Sequence, residues 1–438
     1  MFDNIIPNKI NGTRDFFGKE LEKRNYLINK IVNVYKKYGF EELKTPIFED
    51  INLLRNVYGD EGNKLMYKIL KSGLENDDIV DYCKKHELEK NDNNNEDILH
   101  YLIDKCLRYD LTLPFMRYIC NNYTNINFPF KRYQVDTVFR ADRPQKGRFR
   151  EFYQCDIDII GTDSLLCEVE LLQIVVEVFK ELGIKNYKIK LNNRSLLNDI
   201  SKICGLDDNF TKFYILVDKI DKIGLEKFFE EIKKLNINDD KFNILKDIYN
   251  NNSNLEYLED ILKKNNIDLD NLNNLKDVYA LLKTFKFNLK NVCIDFTLAR
   301  GLGYYTGSIF EVVLEDINIG SVIGGGRYDY FANKLNDNNL KAIGLSFGID
   351  RLLVALEELK LFPDEIHKKN RLLVLNTKNN KFDIDLIEKL REVYIVDYYY
   401  NGNDDIKKQM KFANKKEYNF VLIDNNIKDM STGEQYEI

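Results

Sequence analysis

Two alternating stretches joined by a short basic loop constrain the fold of this chain most. In residues 131–140, Tyr133, Val135, Thr137 and Phe139 alternate with polar side chains. In residues 151–161, Tyr153, Cys155, Ile157 and Ile159 alternate with a second set, Phe152, Gln154, Asp156, Asp158 and Ile160. A period of two is typical of β-strands. The pattern therefore predicts a hairpin of two strands.

The loop of this hairpin is strongly basic. From Lys131 to Arg150 there are seven Lys or Arg residues against two Asp. Arginine side chains bind phosphate oxygens with two parallel hydrogen bonds. A basic loop above a strand face that carries Arg140, Gln154 and Asp158 suits a phosphate ester next to a small polar ligand. The alternative is a solvated basic hairpin without a ligand.

The stretch RADRPQKGRFREFYQCDIDIIG, residues 140–161, resembles motif 2 of the class II aminoacyl-tRNA synthetases, in the form found in histidyl-tRNA synthetases. A second stretch, DFTLARGLGYYTGSIFEVV at 295–313, resembles a signature of the same family. Glycines around Arg300 let the backbone approach a ligand closely. The family usually has Asp at the position of Gly303, so one supporting carboxylate is missing.

Two further glycine-containing stretches follow. GGGRYDYF, residues 324–331, predicts a turn, and without a following GK[ST] it is not a phosphate-binding P-loop. In the family this turn lines the histidine pocket, with Tyr328 near the substrate. AIGLSFGIDRLL, residues 342–353, resembles motif 3, a strand and helix that present Arg351 to ATP. Without the neighbouring motifs, the stretch GIDRL would more often mark only the beginning of a buried helix.

The N-terminal part predicts a helix at 19–38, from its apolar spacing and Gly39, and then a strand in 39–50 that ends at Pro46. This resembles motif 1, which builds the dimer interface in class II enzymes. RYDLT, residues 108–112, resembles the segment that holds the amino acid's ammonium group. A surface Asp and a capping Thr are the alternative.

Residues 71–106 are a divergent insertion relative to the family, with helices expected at about 77–88 and 96–106. Close Cys and His residues can bind zinc, and this segment contains Cys83, His86, His100 and Cys106. We reject a zinc site because His100 points away from the apolar helix face that holds Cys106.

Composition bounds the class of protein. The chain has 438 residues, 44% of them hydrophobic, and a net charge of −6, which argues against a general nucleic-acid binder. It shows neither a signal pattern nor a run of 18 apolar residues. Its seven cysteines form no CxxC pair, which favours a reducing compartment. We expect a cytoplasmic protein without membrane association.

The fold class expected from the resemblance is α+β, with an antiparallel sheet flanked by helices as in class II synthetases. The catalytic core would comprise residues 1–194 and 288–360, interrupted by a helical insertion at 195–287. Alternating strands and helices at 371–438 predict a small α/β domain that resembles the family's anticodon-binding domain. Because no final helix is apparent, we expect it to be shorter than usual.

The resemblance implies a histidine–tRNA ligase that uses ATP and Mg²⁺, forms a homodimer and acts on L-histidine and tRNA(His). Arg140 and Arg300 would be catalytic, and ATP would bind Arg140, Arg148 and Arg351. No protein-held metal site is expected. The implied histidine-binding residues are Asp110, Leu111, Thr112, Gln154, Asp158, Arg300, Tyr304, Tyr305 and Tyr328. The alternatives are a catalytically inactive regulatory or tRNA-sensing module and a nucleic-acid-binding protein without enzymatic activity.

Overall fold

The structure is a computed structural model. It describes residues 8–54, 58–85, 101–300, 304–329, 332–333, 339–367, 370–376, 384–401 and 404–438. Two compact units divide these residues. The first contains residues 8–16 and 24–361, and the second contains residues 17–23 and 362–438.

The strands of the described residues, in chain order, are β1 Glu41–Glu42, β2 Phe48–Asp50, β3 Lys68–Leu70, β4 Ile103–Leu107, β5 Phe130–Phe139, β6 Glu151–Ile160, β7 Tyr187–Asn193, β8 Val292–Ile294, β9 Ser308–Leu314, β10 Ser321–Arg327, β11 Ala342–Gly348, β12 Arg371–Val374, β13 Ile395–Tyr398, β14 Phe420–Ile423, β15 Asn426–Asp429 and β16 Gln435–Glu437.

The helices of the described residues are α1 Lys19–Lys37, α2 Ile51–Leu54, α3 Gly59–Leu65, α4 Asn76–Lys85, α5 Thr112–Asn122, α6 Leu166–Leu182, α7 Arg194–Ile203, α8 Phe210–Val217, α9 Ile220–Ile223, α10 Leu225–Lys233, α11 Asp239–Asn250, α12 Leu255–Lys264, α13 Asp270–Thr284, α14 Ile349–Glu358, α15 Ile384–Arg391 and α16 Ile406–Lys415. No helix in this part of the chain is long and apolar enough to span a membrane.

An eight-stranded sheet forms the centre of the first unit, in the order β1-β5-β6-β11-β10-β9-β7-β8 among the described strands. The six inner strands pair antiparallel, and β1 and β8 add parallel edges. The hairpin predicted from alternation is confirmed as β5 and β6, with Val135 opposite Cys155. Strand β6 is largely buried, and the polar side chains of its one face, Gln154, Asp156 and Asp158, line a cavity.

Helix α1 covers one face of this sheet. Its buried side comprises Leu27, Ile31, Val34 and Tyr35, at the spacing that predicts a helix at 19–38. The hydroxyl of Tyr35 donates to the carbonyl of Cys155 in β6 at 2.9 Å. Gly39, at φ +75°, follows the helix as expected.

Strands β2, β4 and β3 form a small antiparallel sheet. It corrects two expectations. The helix expected at 96–106 does not extend to residue 106, since residues 101–102 are helical but residues 103–107 form β4. Residues 86–100, including His86 and His100, lie outside the described residues. The single strand expected in 39–50 is instead β1 and β2, separated around Pro46, which has no N–H for a strand ladder. The helix expected at 77–88 is present as α4.

A third correction concerns Gly324, Gly325 and Gly326, which lie within β10 and not in a turn. A Cβ atom on Gly325 would collide with the carbonyl oxygen of Gly344 in β11. On Gly326 it would lie 2.5 Å from the carbonyl oxygen of Ser308. Glycine is required here by close packing between strands.

The segment from α7 to α13 is helical, and described apolar residues such as Phe213, Phe228 and Leu245 bury its interior. The second unit has a sheet in the order β13-β12-β14-β15-β16. Leu373 and Leu375 pack on one face of that sheet, and Leu372 and Val374 on the other. Strands β15 and β16 were not expected from the sequence.

Candidate active site

A cavity of about 350 Å³ opens over the inner strands of the eight-stranded sheet. Its floor contains residues of β6, β9, β10 and β11, and the hairpin loop after β5 contributes Gly147 and Arg148. All of these elements belong to the first unit. Acidic side chains and arginines both line the cavity, so its electrostatics depend on how each group is paired.

Asp110 is buried at the beginning of helix α5. Its Oδ1 accepts hydrogen bonds from the Tyr58 hydroxyl at 2.7 Å and from the N–H groups of Thr112 and Leu113 at 3.1 Å. Its Oδ2 is buried and has no hydrogen-bond partner among the described residues. Burial raises the pKa of this carboxyl group, although Tyr58, Arg140 and the two N–H groups oppose the shift. A cation that reaches Oδ2 would satisfy it.

Gln154 provides a second unpartnered acceptor. Its Nε2 donates to the hydroxyl of Ser346 at 3.0 Å, and Ser346 is in turn hydrogen-bonded to the side chain of Asp156. Because Ser346 accepts from Gln154, it can give its own hydrogen to the carboxylate. The amide oxygen of Gln154 is thereby left buried and without a partner.

Asp158 follows on the same face of β6. Tyr328 donates to its Oδ1 at 2.5 Å, and Nη2 of the buried Arg132 lies 2.7 Å from its Oδ2. Burial raises the pKa of Asp158, against the lowering effect of Arg132 and of the Tyr328 hydrogen bond. Gly344 lies opposite Asp158 in β11, and a Cβ atom there would overlap the carboxylate.

Tyr304 and Tyr305 form an aromatic wall, with ring centroids 4.8 Å apart. Tyr304 is hydrogen-bonded to Thr112 and to Tyr305, and burial raises the pKa of both phenols. Both hydroxyls therefore stay protonated at neutral pH, and Tyr304 uses its hydrogen for the bond to Tyr305.

Four arginines, Arg140, Arg148, Arg300 and Arg351, line the other part of the cavity. The Arg140 guanidinium group lies 4.4 Å from the Tyr109 ring centroid and donates from Nε to the carbonyl of Tyr109 at 3.0 Å. Arg351 donates to the carbonyl of Ser321. Burial lowers the pKa of Arg351, and repulsion from the other three arginines adds to that effect. An anionic ligand would relieve this repulsion.

Arg300 lies flat against the sheet. A Cβ atom on Gly324 would overlap its guanidinium group. Nη1 of Arg300 lies 3.4 Å from Oε1 of Glu311, and its Nε is buried without a partner among the described residues. Burial alone would lower the pKa of Arg300, but Tyr305 and Glu311 raise it overall, so it stays charged.

The cavity thus combines two regions. One offers the unpartnered oxygens of Asp110 and Gln154 to a cation, and the other offers four arginines to a polyanion. An amino acid has a cationic and an anionic end, and a nucleotide carries phosphates. The arrangement suits both ligands side by side.

The comparisons with known proteins agree with this geometry. A sequence profile of the histidyl-tRNA synthetase family matches residues 106–352. The histidine–tRNA ligase of Christiangramia forsetii is 38% identical, over 98% of this chain and 96% of its own length. The chain belongs to the histidyl-tRNA synthetase family.

Solved structures related to this family member support the expected fold. The histidyl-tRNA synthetase of Nostoc sp. PCC 7120 is 25% identical, with a TM-score of 0.76 over 99% of this chain and 97% of its own. A Bacillus halodurans C protein described as an ATP phosphoribosyltransferase regulatory subunit/histidyl-tRNA synthetase has a TM-score of 0.73 at 18% identity, over 96% of this chain and 98% of its own. The second likeness concerns the fold alone. The expected class II synthetase-like α+β fold is confirmed.

The structure brings together nearly all residues that the sequence suggests for this site. Those that line the cavity are Asp110, Thr112, Arg140, Arg148, Gln154, Asp158, Arg300, Tyr304, Tyr305, Tyr328 and Arg351. Leu111 is the exception, because its side chain is fully buried and its carbonyl accepts from Arg132 at 3.0 Å. Asp110 is also buried, so the alternative of a surface Asp is wrong. Gly301 and Gly303 lie outside the described residues.

Several lining residues of this family member were not assigned a role from the sequence. Asp156 lies between Gln154 and Asp158 on the alternating face of β6, so the period of two could have identified it. Glu311 in β9 and Ser346 in β11 had no comparable signal. Asp218 and Lys222 come from the helical segment, where charged residues are too common to single out two.

The family resemblance implies Mg²⁺, and the described residues of the cavity offer carboxylates that could bind it. No cluster of three or more His, Cys, Asp or Glu residues that could hold a metal occurs in the described parts of the chain. Mg²⁺ commonly binds one or two protein carboxylates together with substrate phosphates and water. Glu311, next to Arg300 in the cavity, supplies one such carboxylate. The donor set therefore fits a metal that enters with a nucleotide.

Proposed function

We propose that this protein activates L-histidine with ATP and transfers the histidyl group to the 3′ end of tRNA(His). The observation that carries the proposal is the cavity itself, where the unpartnered oxygens of Asp110 and Gln154 lie beside four arginines. A site with this pairing can hold an amino acid's ammonium group next to the phosphates of a nucleotide.

In the first step, a carboxylate oxygen of histidine attacks the α-phosphorus of ATP. A bond forms between this oxygen and phosphorus, the bond to the bridging oxygen breaks, and pyrophosphate leaves. Such a reaction needs positioning and charge stabilisation more than a protein nucleophile. No histidine or cysteine is among the described residues that line the cavity. Arg140 and Arg300 would stabilise the charge on the α-phosphate and carboxylate.

The remaining groups would orient the two substrates. Asp110, Thr112 and Gln154 would hold the ammonium group, while Asp158, Tyr305 and Tyr328 would bind the imidazole. Arg351 and Arg148 would hold the distal phosphates, and Glu311 would bind Mg²⁺, which when bound neutralises phosphate charge. In the second step the terminal ribose hydroxyl of the tRNA attacks the histidyl carbonyl, and AMP leaves.

The test is histidine-dependent exchange of pyrophosphate into ATP. The protein should catalyse this exchange with histidine and not with other amino acids. Arg140→Ala or Arg300→Ala should lower the rate at least about 100-fold, the scale for loss of a preorganised transition-state donor. Arg391→Ala, at an exposed position of the second unit, is the matched control.

The outcomes separate the proposed activity from the alternative. A catalytically inactive regulatory or tRNA-sensing module would show no exchange with any amino acid, and that result would refute the proposal. Wild-type-like exchange after either cavity substitution would remove that arginine from its assigned role. Equal losses in the Arg391→Ala control would show that the substitutions act through folding.

We further propose that the protein forms a homodimer in the cytoplasm. The motif 1-like helix α1 supports a dimer, as do the exposed Phe48 and Leu70 of the small sheet. All seven cysteines are free thiols, as expected in a reducing compartment. A strict monomer in light scattering at micromolar concentration, with full activity, would refute the dimer.

A further inference from the structure

The helical segment from α7 to α13 contacts the candidate active site at Tyr214. This tyrosine lies in α8 and is 5% exposed. Its hydroxyl accepts a hydrogen bond from the Arg300 N–H at 2.9 Å and donates one to the Arg300 carbonyl at 2.6 Å. Burial raises the pKa of Tyr214, so the hydroxyl keeps the proton that it donates.

These two bonds matter because little else holds the backbone of Arg300. Among the described residues, no backbone–backbone hydrogen bond involves Arg300. Its side chain is 3.4 Å from Glu311, is hydrogen-bonded to the side chain of Tyr305 and lies over Gly324, and none of these contacts holds the backbone. The two hydrogen bonds of the Tyr214 hydroxyl therefore fix the backbone position from which the Arg300 side chain extends.

The same segment also holds the chain on the far side of the loop that follows Arg300. The N–H of Arg194 donates to the carbonyl of Gly307 at 2.9 Å, and the Ser195 hydroxyl donates to the carbonyl of Thr306 at 2.7 Å. The Arg194 guanidinium group lies 4.1 Å from the centroid of the Tyr214 ring. One packed unit of α7 and α8 thus holds both flanks of this loop.

We propose that Tyr214 is a positioning residue for Arg300, and that the helical segment controls the first reaction step through this tyrosine. The proposal rests on the proposed function, since it concerns the arginine that stabilises the reacting phosphate. Any displacement of α8 relative to the sheet would move the backbone of Arg300. A shift of about 1 Å in a positioned group is enough to lower a rate by about 100-fold.

Tyr214→Phe tests the role because it keeps the ring against Arg194 and removes both hydrogen bonds to Arg300. We expect kcat for histidine-dependent exchange to fall by about 30- to 100-fold, with the KM values for histidine and ATP within about threefold of wild type. Tyr249→Phe is the matched control. Tyr249 is equally buried in the helical segment, and its hydroxyl has no partner among the described residues.

A double-mutant cycle separates positioning from general damage. In an Arg300→Ala background, Tyr214→Phe should lower kcat for exchange by less than about twofold, because the effects of residues that act as a unit are strongly non-additive. The same loss in both backgrounds would overturn the proposal, as would wild-type-like exchange in Tyr214→Phe. Absence of exchange in the wild-type protein would refute the proposed function. Normal exchange in both the wild-type protein and the Tyr214→Phe variant would refute only the role of Tyr214.

Discussion

Gly324 lies directly beneath the guanidinium group of Arg300, so closely that a Cβ atom on the glycine would overlap the guanidinium. A Cβ atom on the neighbouring Gly325 would lie on the opposite face of β10 and collide with the backbone carbonyl of Gly344. The first obstacle is the end of a flexible side chain, and the second is backbone. The two glycines therefore have different reasons to lack a side chain.

Gly324→Ala should spare folding and impair catalysis. Arg300 can move away from the new methyl group, so the melting temperature should stay within a few degrees of wild type, while exchange falls by about 100-fold. Gly325→Ala is the comparison, and it should lower the free energy of unfolding by about 1–3 kcal/mol or more through overpacking. Thermal unfolding and exchange assays on both variants check this. Full activity in Gly324→Ala would show that Arg300 need not lie flat.

Asp158→Ala should raise the KM for histidine far more than the KM for ATP. A pocket built to hydrogen-bond both imidazole nitrogens loses affinity strongly when one partner is removed. We expect the KM for histidine to rise by about 100-fold or more, and the KM for ATP to change little. Because the variant leaves the buried Arg132 without its ion-pair partner, Tyr328→Phe serves as a second, milder variant that keeps this pair. Equal increases in both KM values would contradict the assignment.

Ser346→Ala should release the amide of Gln154. Without the Ser346 hydroxyl, Nε2 of Gln154 loses its 3.0 Å acceptor, and the amide oxygen is no longer held toward the ligand. The loss of one such bond is worth about 1 kcal/mol, so the KM for histidine should rise by about fivefold. Inhibition by the des-amino analogue of histidine, which has no ammonium group, should not change. An equal loss of affinity for the analogue would show that Ser346 acts elsewhere.

Asp156→Asn should change how stability depends on pH. Burial raises the pKa of Asp156 to about 7, the neighbouring Asp158 adds to the shift, and Arg132 opposes it. The unfolded chain has an Asp pKa of about 3.9. The folded state thus binds this proton more tightly, and the wild-type protein loses stability as pH rises from about 4 to about 7. Over this pH range, the contribution of Asp156 to the free energy of unfolding falls by at most about 4 kcal/mol.

The asparagine variant lacks this titrating group, so its stability should fall less over the same pH range. Denaturant unfolding at several pH values between 4 and 8 measures both slopes. Parallel curves for the two proteins would mean that Asp156 is already ionised in the folded state at low pH. Asp158 remains in both proteins, and because it interacts with Asp156, the difference between the two slopes reports the titration of this pair of carboxyl groups.

Local patterns predicted much of the fold correctly. The β5–β6 hairpin and helix α1 follow from periodicity within one element, and the structure has both. The helix expected at 96–106 was wrong over residues 103–106, because apolar spacing in a short window does not distinguish a helix from a strand such as β4. What places residues 103–107 in a strand is pairing with β2 and β3, which a local pattern does not contain.

The site was predictable where a family motif covered it and not where distant elements meet. Gly324 to Gly326 were expected in a turn from the family resemblance, but they lie within β10, where glycine allows close contact with Arg300 and with β11. The hydrogen bonds of Ser346 and Tyr214 join positions far apart in the sequence. Such contacts depend on tertiary packing, and no spacing rule reveals them.

Arg143 in the hairpin loop is the residue that we propose to contact the tRNA. Arg143 is exposed, whereas Lys146 in the same loop pairs with Glu358 and Arg148 pairs with Asp142. In the second unit, Lys and Arg are interleaved with Asp and Glu along residues 371–438. We therefore expect that discrimination of the tRNA depends more on its acceptor end, near this loop, than on its anticodon.

Arg143→Ala should then weaken tRNA charging and leave histidine-dependent exchange unchanged. Loss of one phosphate contact should reduce the slope of log affinity against log salt by about 0.7 for a single-stranded end. Arg391→Ala in the second unit, as the control, should change this slope less. The decisive comparison is charging of tRNAs altered either at the acceptor end or in the anticodon. If anticodon changes impair charging more, the second unit dominates recognition and the hypothesis is wrong.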